Sequence, residues 1–545
     1  MSVGATASTL SDVNDTGATA ELDGRSRLAA VATAPHTVTI LALLAALAVL
    51  VANVAGIASG DDGVGYRAMA DSLLAGDGYG YFLEDPVTVW PPVWPALMAL
   101  IAWLSPLDPL GAAIVLNAAV AAGVVVAGNR LLRVVVDDAR LVLAGTVVLA
   151  LGPSTIGLGH VLMTDMAFAL VTMVWMLALV RFRRTAAWRD LAAAALLAWL
   201  AFGLRYVGLV LIAFGGLWLL CDGRRSLATR FRNGVLYGVG AAIVPIAWML
   251  RNRSIDGTFT GERNPSARGL IDNGFDIAAT LGRFLLPGLG NGLTYLWAAV
   301  GLVVLAGACW LAWKVLRAPV DGRTRGVGAR LVHLAGRPLG LLAGFAILYL
   351  SYMLYVRTTT ALNQLDLRLL YPAYFPLSFV ALALLERLRR LEPSARWERF
   401  GLRTAGVWCV ANVAAGMVGM VALAAGHPYF VGNYEADVFD AVRENPAIAA
   451  LPADCQLYSN LPNGLYPAYE ALWSPQRRAL ESSREIPDLE EIAATLDDTP
   501  SCLVWIDEPP VYGHLWTLEQ LQDRLELEPV AAEGNVETFL MRQRR

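Results

Sequence analysis

The sequence predicts a polytopic α-helical membrane protein that carries a small α/β domain outside the bilayer. Three observations predict it. The 545 residues are 56% hydrophobic and 16% charged, with mean hydropathy +0.52, beyond ordinary soluble composition. Apolar runs recur at close to the roughly 20 residues that a helix needs to span hydrocarbon. Arginine clusters occupy alternate connections between them, as the positive-inside rule requires.

Residues 1–35 are small, polar and acidic, and are expected to form a disordered cytoplasmic N-terminus. The run from Val38 to Ala58 is long for a signal-peptide core and reads as a signal anchor; "AGIAS" loosely resembles a cleavage site, so removal is the alternative. Spans are expected near 37–58, 109–129, 141–158, 163–180, 190–204, 206–221, 234–250, 293–316, 338–356, 369–386 and 404–425. With the N-terminus inside, the cytoplasmic connections hold Arg130, Arg133 and Arg140; Arg181, Arg183, Arg184 and Arg189; Arg224, Arg225, Arg230 and Arg232; Lys314 through Arg337; and Arg387, Arg389 and Arg390. This parity requires that Val93–Leu104 not cross. Its 12 residues make a helix of about 18 Å, which is too short, so it is placed as a re-entrant or juxtamembrane helix on the outer side.

The transmembrane domain is thus 36–426, with a first external loop at 59–108, and the extracytoplasmic α/β domain is 427–545. In that tail "QLYSN", "CLVWID" and "VETFLMR" read as strands, with helical patterns near 434–445, 488–497 and 516–525. Cys455 and Cys502 each precede a strand-like run; a disulfide and two free thiols are both open. Cys221, Cys309 and Cys409 lie in or beside apolar runs and read as small core hydrophobes.

The first external loop holds most of the interest. Asp61, Asp62, Asp71, Asp77, Glu84 and Asp85 lie there with one arginine, Arg67. Tyr66, Met69, Ala70, Leu73 and Leu74 recur on one helical face, and Gly76 suits the helix end. The expected helix lies on the outer membrane surface, apolar side down, with Asp61 and Asp62 just before its start. On composition alone these carboxylates are helix caps and solvating charge.

"DDGVGYRAMADSLLAGDGY" followed by "WPPVWPALMAL" resembles the first external loop of the GT-C glycosyltransferases. The narrower resemblance is to family 39, the relatives of dolichyl-phosphate-mannose protein mannosyltransferases and lipid A aminoarabinose transferases. Asp62 with Tyr66 matches the family's Asp/Tyr spacing, and Trp90-Pro91-Pro92-Val93-Trp94-Pro95 matches its Tyr-Pro-Pro box. Gly63 departs from the glutamate common there, which leaves open whether Asp61 shares the work. "HVLMTDMAFAL" resembles the second acidic motif, with Asp165 at a helix start; "GLRYVGLVL", "WMLRNRSIDGTFTGERNPS", "RLLYPAYFPL" and "QLYSNLPNGLYPAYE" resemble later motifs, so the similarity runs over nearly the whole chain past residue 36.

The resemblance implies the GT-C fold, with about eleven transmembrane helices, and transfer of a sugar from a polyprenyl-phosphate donor to an extracytoplasmic hydroxyl, with inversion. The acceptor would be cell-wall polysaccharide, glycolipid or protein. Asp62 is the expected general base, with Asp61 and Asp165 as further acidic candidates. Arg205, Arg251, Arg263 and Arg368 are the expected donor-phosphate ligands, since guanidinium presents a fixed fork of donors to phosphate. Tyr66, Trp90, Trp94 and His160 are expected to line the substrate site; apart from the resemblance, Tyr66, Trp90 and Trp94 read as an interfacial aromatic belt, and for His160 a merely interfacial place is favoured.

No cofactor is expected, although Asp61, Asp62 and Asp165 could in principle hold a divalent cation. Metal-site spacing, phosphate-binding Gly-Lys-Ser/Thr loops and nucleophile elbows are absent from the sequence. Net charge −4 offers no surface for nucleic acid. The near-exclusive use of arginine, with Lys314 the one lysine, suggests a GC-rich, actinobacterial genome, for which a plasma-membrane location and decaprenyl phosphate as carrier are expected. The alternative is a non-enzymatic polytopic protein, a lipid-linked saccharide transporter or envelope assembly scaffold; charges at outer helix ends rather than mid-helix argue for the enzyme. An inactive relative of the enzymes is a third reading.

Overall fold

A chain this apolar buries its backbone polar groups by forming helices, and helices make up most of the structure. The computed structural model describes residues 34–82, 86–285, 291–317, 334–391, 395–427, 433–477, 487–496, 500–508 and 512–544. The readings made for residues 1–33, for Glu84 and Asp85, and for most of the connection after Arg317 lie outside the described residues.

The bundle begins with α1 (Pro35–Ala52), α2 (Asp61–Ala75), α3 (Val93–Leu104) and α4 (Pro109–Val135). It continues with α5 (Ala139–Leu151), α6 (Pro153–His160), α7 (Asp165–Thr185), α8 (Trp188–Leu204), α9 (Leu209–Leu220) and α10 (Leu227–Asp256). It closes with α11 (Leu270–Leu285), α12 (Thr294–Arg317), α13 (Pro338–Thr359), α14 (Leu367–Leu391) and α15 (Ala395–Ala424). Among the described residues, nine helices are long and apolar enough to cross a membrane, α5 and α6 counting as one. Their break falls at Gly152-Pro153, where proline supplies the first residue of α6.

The two remaining expected spans, α8 and α9, are short, yet ion pairs show that they run the full length of α7. At one end of α7 Arg181 meets Asp190, at the start of α8, at 3.1 Å. At the other end Asp165 meets Arg205, just past α8, at 2.7 Å. The chain then returns through α9 to Asp222, which meets Arg183 at 3.4 Å. The short α8 and α9 therefore make helical passages between the same two faces as α7: an arginine-rich face and a face carrying Asp165.

The first loop leaves and re-enters on the Asp165 face. Asn53, after α1, and Asn117, near the start of α4, both donate to the Gly159 carbonyl, at 3.0 and 3.1 Å. The α3 helix inside that loop therefore does not cross, as its length requires. One helix of the bundle escaped the sequence reading. The α11 segment is amphipathic rather than uniformly apolar, so a search for apolar runs passes over it; Ile271 is exposed on one side, while Phe284 is buried on the other.

The tail carries a five-stranded sheet in the order β2-β1-β3-β5-β4, with β1 (Gln456–Ser459), β2 (Leu472–Trp473), β3 (Ser501–Ile506), β4 (Leu525–Glu533) and β5 (Val536–Gln543). Three strands match the expectation; two-residue β2 and the mostly exposed β4 give too little alternation to be read. Short helices lie at Asp437–Arg443, Leu489–Thr495 and Leu518–Gln522, within the expected stretches. On β3, Val504 and Ile506 join the core shared with the bundle, whereas Leu503 packs with Ile492, Leu521 and Phe539 on the opposite face. Cys455 and Cys502 are disulfide-bonded, with Cα atoms 5.8 Å apart. Cys221 and Cys309 are exposed on the bundle rather than in its core, and Cys409 is half-buried.

Tight helix contact generates a stability prediction. Where α11 crosses α12, a Cβ on Gly301 would stand 1.8 Å from the Ala278 carbonyl oxygen, so the helices must separate to admit alanine. Gly307, two turns on, has nothing within 4 Å of its would-be Cβ. Gly301→Ala should cost about 1–3 kcal/mol, seen as a lower melting temperature in detergent, and Gly307→Ala should leave melting unchanged or raise it. Equal melting of the two variants would contradict this packing.

Candidate functional site

The site forms where two helices begin side by side. Ala58 donates to the His160 carbonyl at 2.9 Å, and its own carbonyl accepts from Leu162 at 2.9 Å. This short parallel bridge ties the approach to α2 against the turn between α6 and α7. Asp62 is the second residue of α2, and Asp165 is the first residue of α7. Both carboxylates thus sit at helix starts, where unpaired backbone N–H groups favour negative charge. The expectation that Asp61 and Asp62 precede the helix is corrected: Gly60 is the cap, and both aspartates lie in the first turn.

Each of these carboxylates meets a guanidinium. Arg368 Nη1 lies 3.2 Å from Asp62 Oδ2 and 3.0 Å from Met163 Sδ. Arg205 Nη1 lies 2.7 Å from Asp165 and 3.4 Å from Thr164 Oγ1. The Arg368 guanidinium also lies within electrostatic reach of Asp165 and Asp366. Asp165 is fully buried, whereas the side chains of Asp62, Arg205 and Arg368 keep 35%, 21% and 15% of their surface exposed. The three partly exposed groups can therefore meet a ligand, and Asp165 acts on them through the charges of Arg205 and Arg368.

Tyr66 lies one turn along α2 from Asp62, is buried, and hydrogen-bonds Thr164. Trp90 donates Nε1 to Asp62 Oδ1 at a long 3.4 Å, and its ring meets Tyr66 edge-on at 6.3 Å. Two expected lining residues lie elsewhere. Trp94 is buried in the bundle core at the start of α3. His160 is buried, rather than interfacial, and turned toward the Ala52 backbone.

Arg251 and Arg263 hold backbone. Arg251 donates to the Val87 carbonyl at 2.8 Å and stacks on Trp248, 4.6 Å from the ring centre. Arg263 donates to the Val89 carbonyl at 3.3 Å. Between them Asn252 donates to the Thr88 carbonyl at 3.3 Å and to the Tyr206 hydroxyl at 2.9 Å. Three successive carbonyls before Trp90 are thus secured by α10 and the loop after it. Arg263 still feels the charges of Asp62 and Arg205, so it borders the site. Asn252 is completely buried and was not singled out from the sequence; a polar residue beside an arginine at a span end carries no distinguishing pattern.

Asp61 points the other way. Consecutive helix residues diverge by about 100°, so when Asp62 faces the bundle its neighbour faces the tail. Asn463 donates to Asp61 Oδ1 at 2.7 Å, and Tyr512 donates to both oxygens at 3.1 and 3.0 Å. At Gly63 a Cβ would fall 2.5 Å from Ser59 Oγ and 3.3 Å from the Leu162 carbonyl oxygen, so any side chain there requires Ser59 to shift.

The surface placement expected for α2 is also corrected. The helix is held between bundle and tail: Arg67 pairs with Glu435 at 3.0 Å, and Asp71 accepts from Tyr466 at 2.6 Å, so neither serves as solvating charge. Gly76 does end the helix, in the left-handed conformation. Among the described residues no group of three or more His, Cys, Asp or Glu side chains is placed to hold a metal ion.

No protein-family model and no curated protein matches the chain. Among solved structures it is similar to ArnT from Cupriavidus metallidurans bound to undecaprenyl phosphate, with TM-score 0.56 and 15% identity over 93% of this chain and 98% of that one. ArnT from the same organism in the apo state matches with TM-score 0.49 and 18% identity over 91% and 97%. The Archaeoglobus fulgidus oligosaccharyltransferase in the apo form matches with TM-score 0.48 and 12% identity over 87% and 70%. The fold is the GT-C fold, with the small α/β tail included in the match.

The Asp61 surroundings generate a pH prediction. Asp61 keeps exposed surface, but the protein packed around its carboxyl removes part of its solvation and raises it above the ordinary value of 3.8, against the hydrogen bonds from Asn463, Tyr434 and Tyr512; the charge of Asp62 pushes the same way. The folded protein then holds this proton more tightly than the unfolded chain does. That contribution is complete below the ordinary value and is lost as pH rises through the folded one. As pH rises from the ordinary value of 3.8, the melting temperature of the wild type should therefore fall relative to that of Asp61→Asn. Parallel curves, or the opposite slope, would contradict this loss of solvation at Asp61.

Proposed function

We propose that this chain is a membrane glycosyltransferase that moves a sugar from a polyprenyl phosphate to an acceptor hydroxyl on the face carrying Asp62. The carrying observation is the contact between Asp62 and Arg368, a carboxylate and a guanidinium both partly open to a ligand at one end of the bundle. The similarity to ArnT bound to undecaprenyl phosphate supports a lipid phosphate as the group the arginines take up.

Arg368 and Arg205 grip the donor phosphate through charge-assisted hydrogen bonds. Phosphate draws Arg368 from Asp62 and leaves that carboxylate able to accept a proton. Asp62 takes the proton of the acceptor hydroxyl as its oxygen attacks the sugar's anomeric carbon. The bond from that carbon to the phosphate oxygen breaks, and the lipid phosphate leaves with the electron pair, stabilised by the two guanidinium groups. Single displacement inverts the anomeric centre. Asp165 holds Arg205 in place, Tyr66 and Trp90 wall the pocket, and Arg251 and Arg263 secure the backbone behind Trp90.

The acceptor class is a cell-envelope hydroxyl, on polysaccharide, glycolipid or protein. The proposed orientation places the arginine-rich face in the cytoplasm and the site with the tail outside the plasma membrane. The Cys455–Cys502 disulfide supports that placement, because such bonds persist in oxidising compartments. The arrangement of charge at helix ends on one face, rather than mid-helix, supports an enzyme over a transporter.

The test uses purified protein in lipid nanodiscs. Affinity for undecaprenyl phosphate is measured directly, and its release from a panel of undecaprenyl-phosphate-linked hexoses and pentoses is followed with envelope extract as acceptor. Asp62→Asn should lower turnover by about 10²–10⁴ and preserve binding. Arg368→Ala or Arg205→Ala should weaken binding about tenfold or more, equivalent to roughly 1.4 kcal/mol. Full turnover in a folded Asp62→Asn variant would remove the proposed mechanism.

A further inference from the structure

The tail domain grips the face of α2 opposite Asp62, and the grip is densest at the first turn. Ser59 donates its backbone N–H to Asn433 Oδ1 at 2.9 Å, and its carbonyl accepts from the Tyr434 N–H at 2.8 Å. Tyr434 and Tyr512 share a hydroxyl contact at 2.7 Å, and Tyr512 donates to Asp61. Asn463 links Asp61 with the Tyr81 hydroxyl, donating to the first at 2.7 Å and accepting from the second at 2.9 Å. Further along, Arg67 Nη1 meets both Glu435 oxygens at 3.0 Å, and Phe82 stacks on Tyr466 with ring centres 4.8 Å apart.

We propose that Asp61 is a positioning residue: clasped by Asn463 and Tyr512 of the tail domain, it sets the rotation of α2 about its axis and so aims Asp62 at Arg368. The proposal rests on the reading of Asp62 as the base. Both Asp61 oxygens accept hydrogen bonds from the tail, which assigns this carboxylate to structure and its neighbour to chemistry. On a rigid helix, a turn of the Asp61 side is a turn of the Asp62 side. A displacement of about 1 Å at a reacting group can cost about 10²-fold in rate. The tail thereby acquires a role in transfer without touching the reacting atoms.

Asparagine at position 61 still offers an acceptor oxygen to Asn463 and Tyr512; alanine offers none. In the nanodisc assay, Asp61→Ala should lower turnover about tenfold or more, with undecaprenyl phosphate affinity unchanged. Hydrogen exchange at the amides of residues 61–66 should quicken by about the same factor. Asp61→Asn should restore turnover to within about threefold of wild type and restore slow exchange. The pair Asn463→Ala with Tyr512→Phe should reproduce Asp61→Ala from the other side of the interface, and provides the test if Asp61→Ala fails to fold. If Asp61→Asn is as inactive as Asp61→Ala, Asp61 acts chemically and the proposal falls. It falls equally if the clasp variants keep wild-type turnover and exchange. An Asp62→Asn variant with full turnover would instead sink the transfer mechanism, while the exchange data would still report whether the clasp orders α2.

Discussion

The arrangement depends on one backbone contact, the bridge that joins Ala58 to the turn at Val161. It brings together the starts of α2 and α7, which are separated by about a hundred residues of chain and four other helices. Asn53 and Asn117 reinforce it by donating to the Gly159 carbonyl, and both side chains are buried. In an apolar bundle a buried amide must find a partner, so these contacts define a single register for the surrounding helices. Through that register two carboxylates, each at a favourable helix start, come to face two guanidinium groups from α14 and the break after α8.

The same face shows how charge is carried where charge is costly. Asp165 is fully buried and is kept by Arg205; removing one member of such a pair strands the other, at a cost of about 3–5 kcal/mol. Asp62 and Arg368 are paired with both side chains partly exposed. Burial thus separates two carboxylates that each meet a guanidinium: Asp165 is enclosed, and Asp62 is open to solvent. On the opposite face Asp138 pairs with Arg389 at 2.9 Å, and Asp222 with Arg225 at 3.0 Å, anchoring span ends.

Much of the fold was legible because apolar length and arginine placement act locally along the chain. The break at Pro153, the amphipathic α11 and strands β2 and β4 were not, since each depends on what packs beside it. At the site, Asp62, Asp165, Arg205, Arg368, Tyr66 and Trp90 were named from the sequence, and the structure brings them together. Trp94, His160, Arg251 and Asp61 were named with the same kind of support, and the structure directs them to core, to Ala52, to backbone carbonyls and to the tail. Residue type could not separate the two groups, because arginine binds backbone carbonyls as well as phosphates. Asn463 lay within a quoted motif, but nothing local pointed to its partner some four hundred residues earlier.

By itself, the sequence determined the membrane class, the helical segments of the bundle, the shortness of α3 and the strand-bearing tail. These follow from hydrophobic length and charge, which each segment expresses without reference to any other. Only the tertiary structure decided which way neighbouring side chains face. Asp61 and Asp62 are identical in chemistry and adjacent in sequence, and a rotation of about 100° along one helix sends the first to the tail and the second to Arg368.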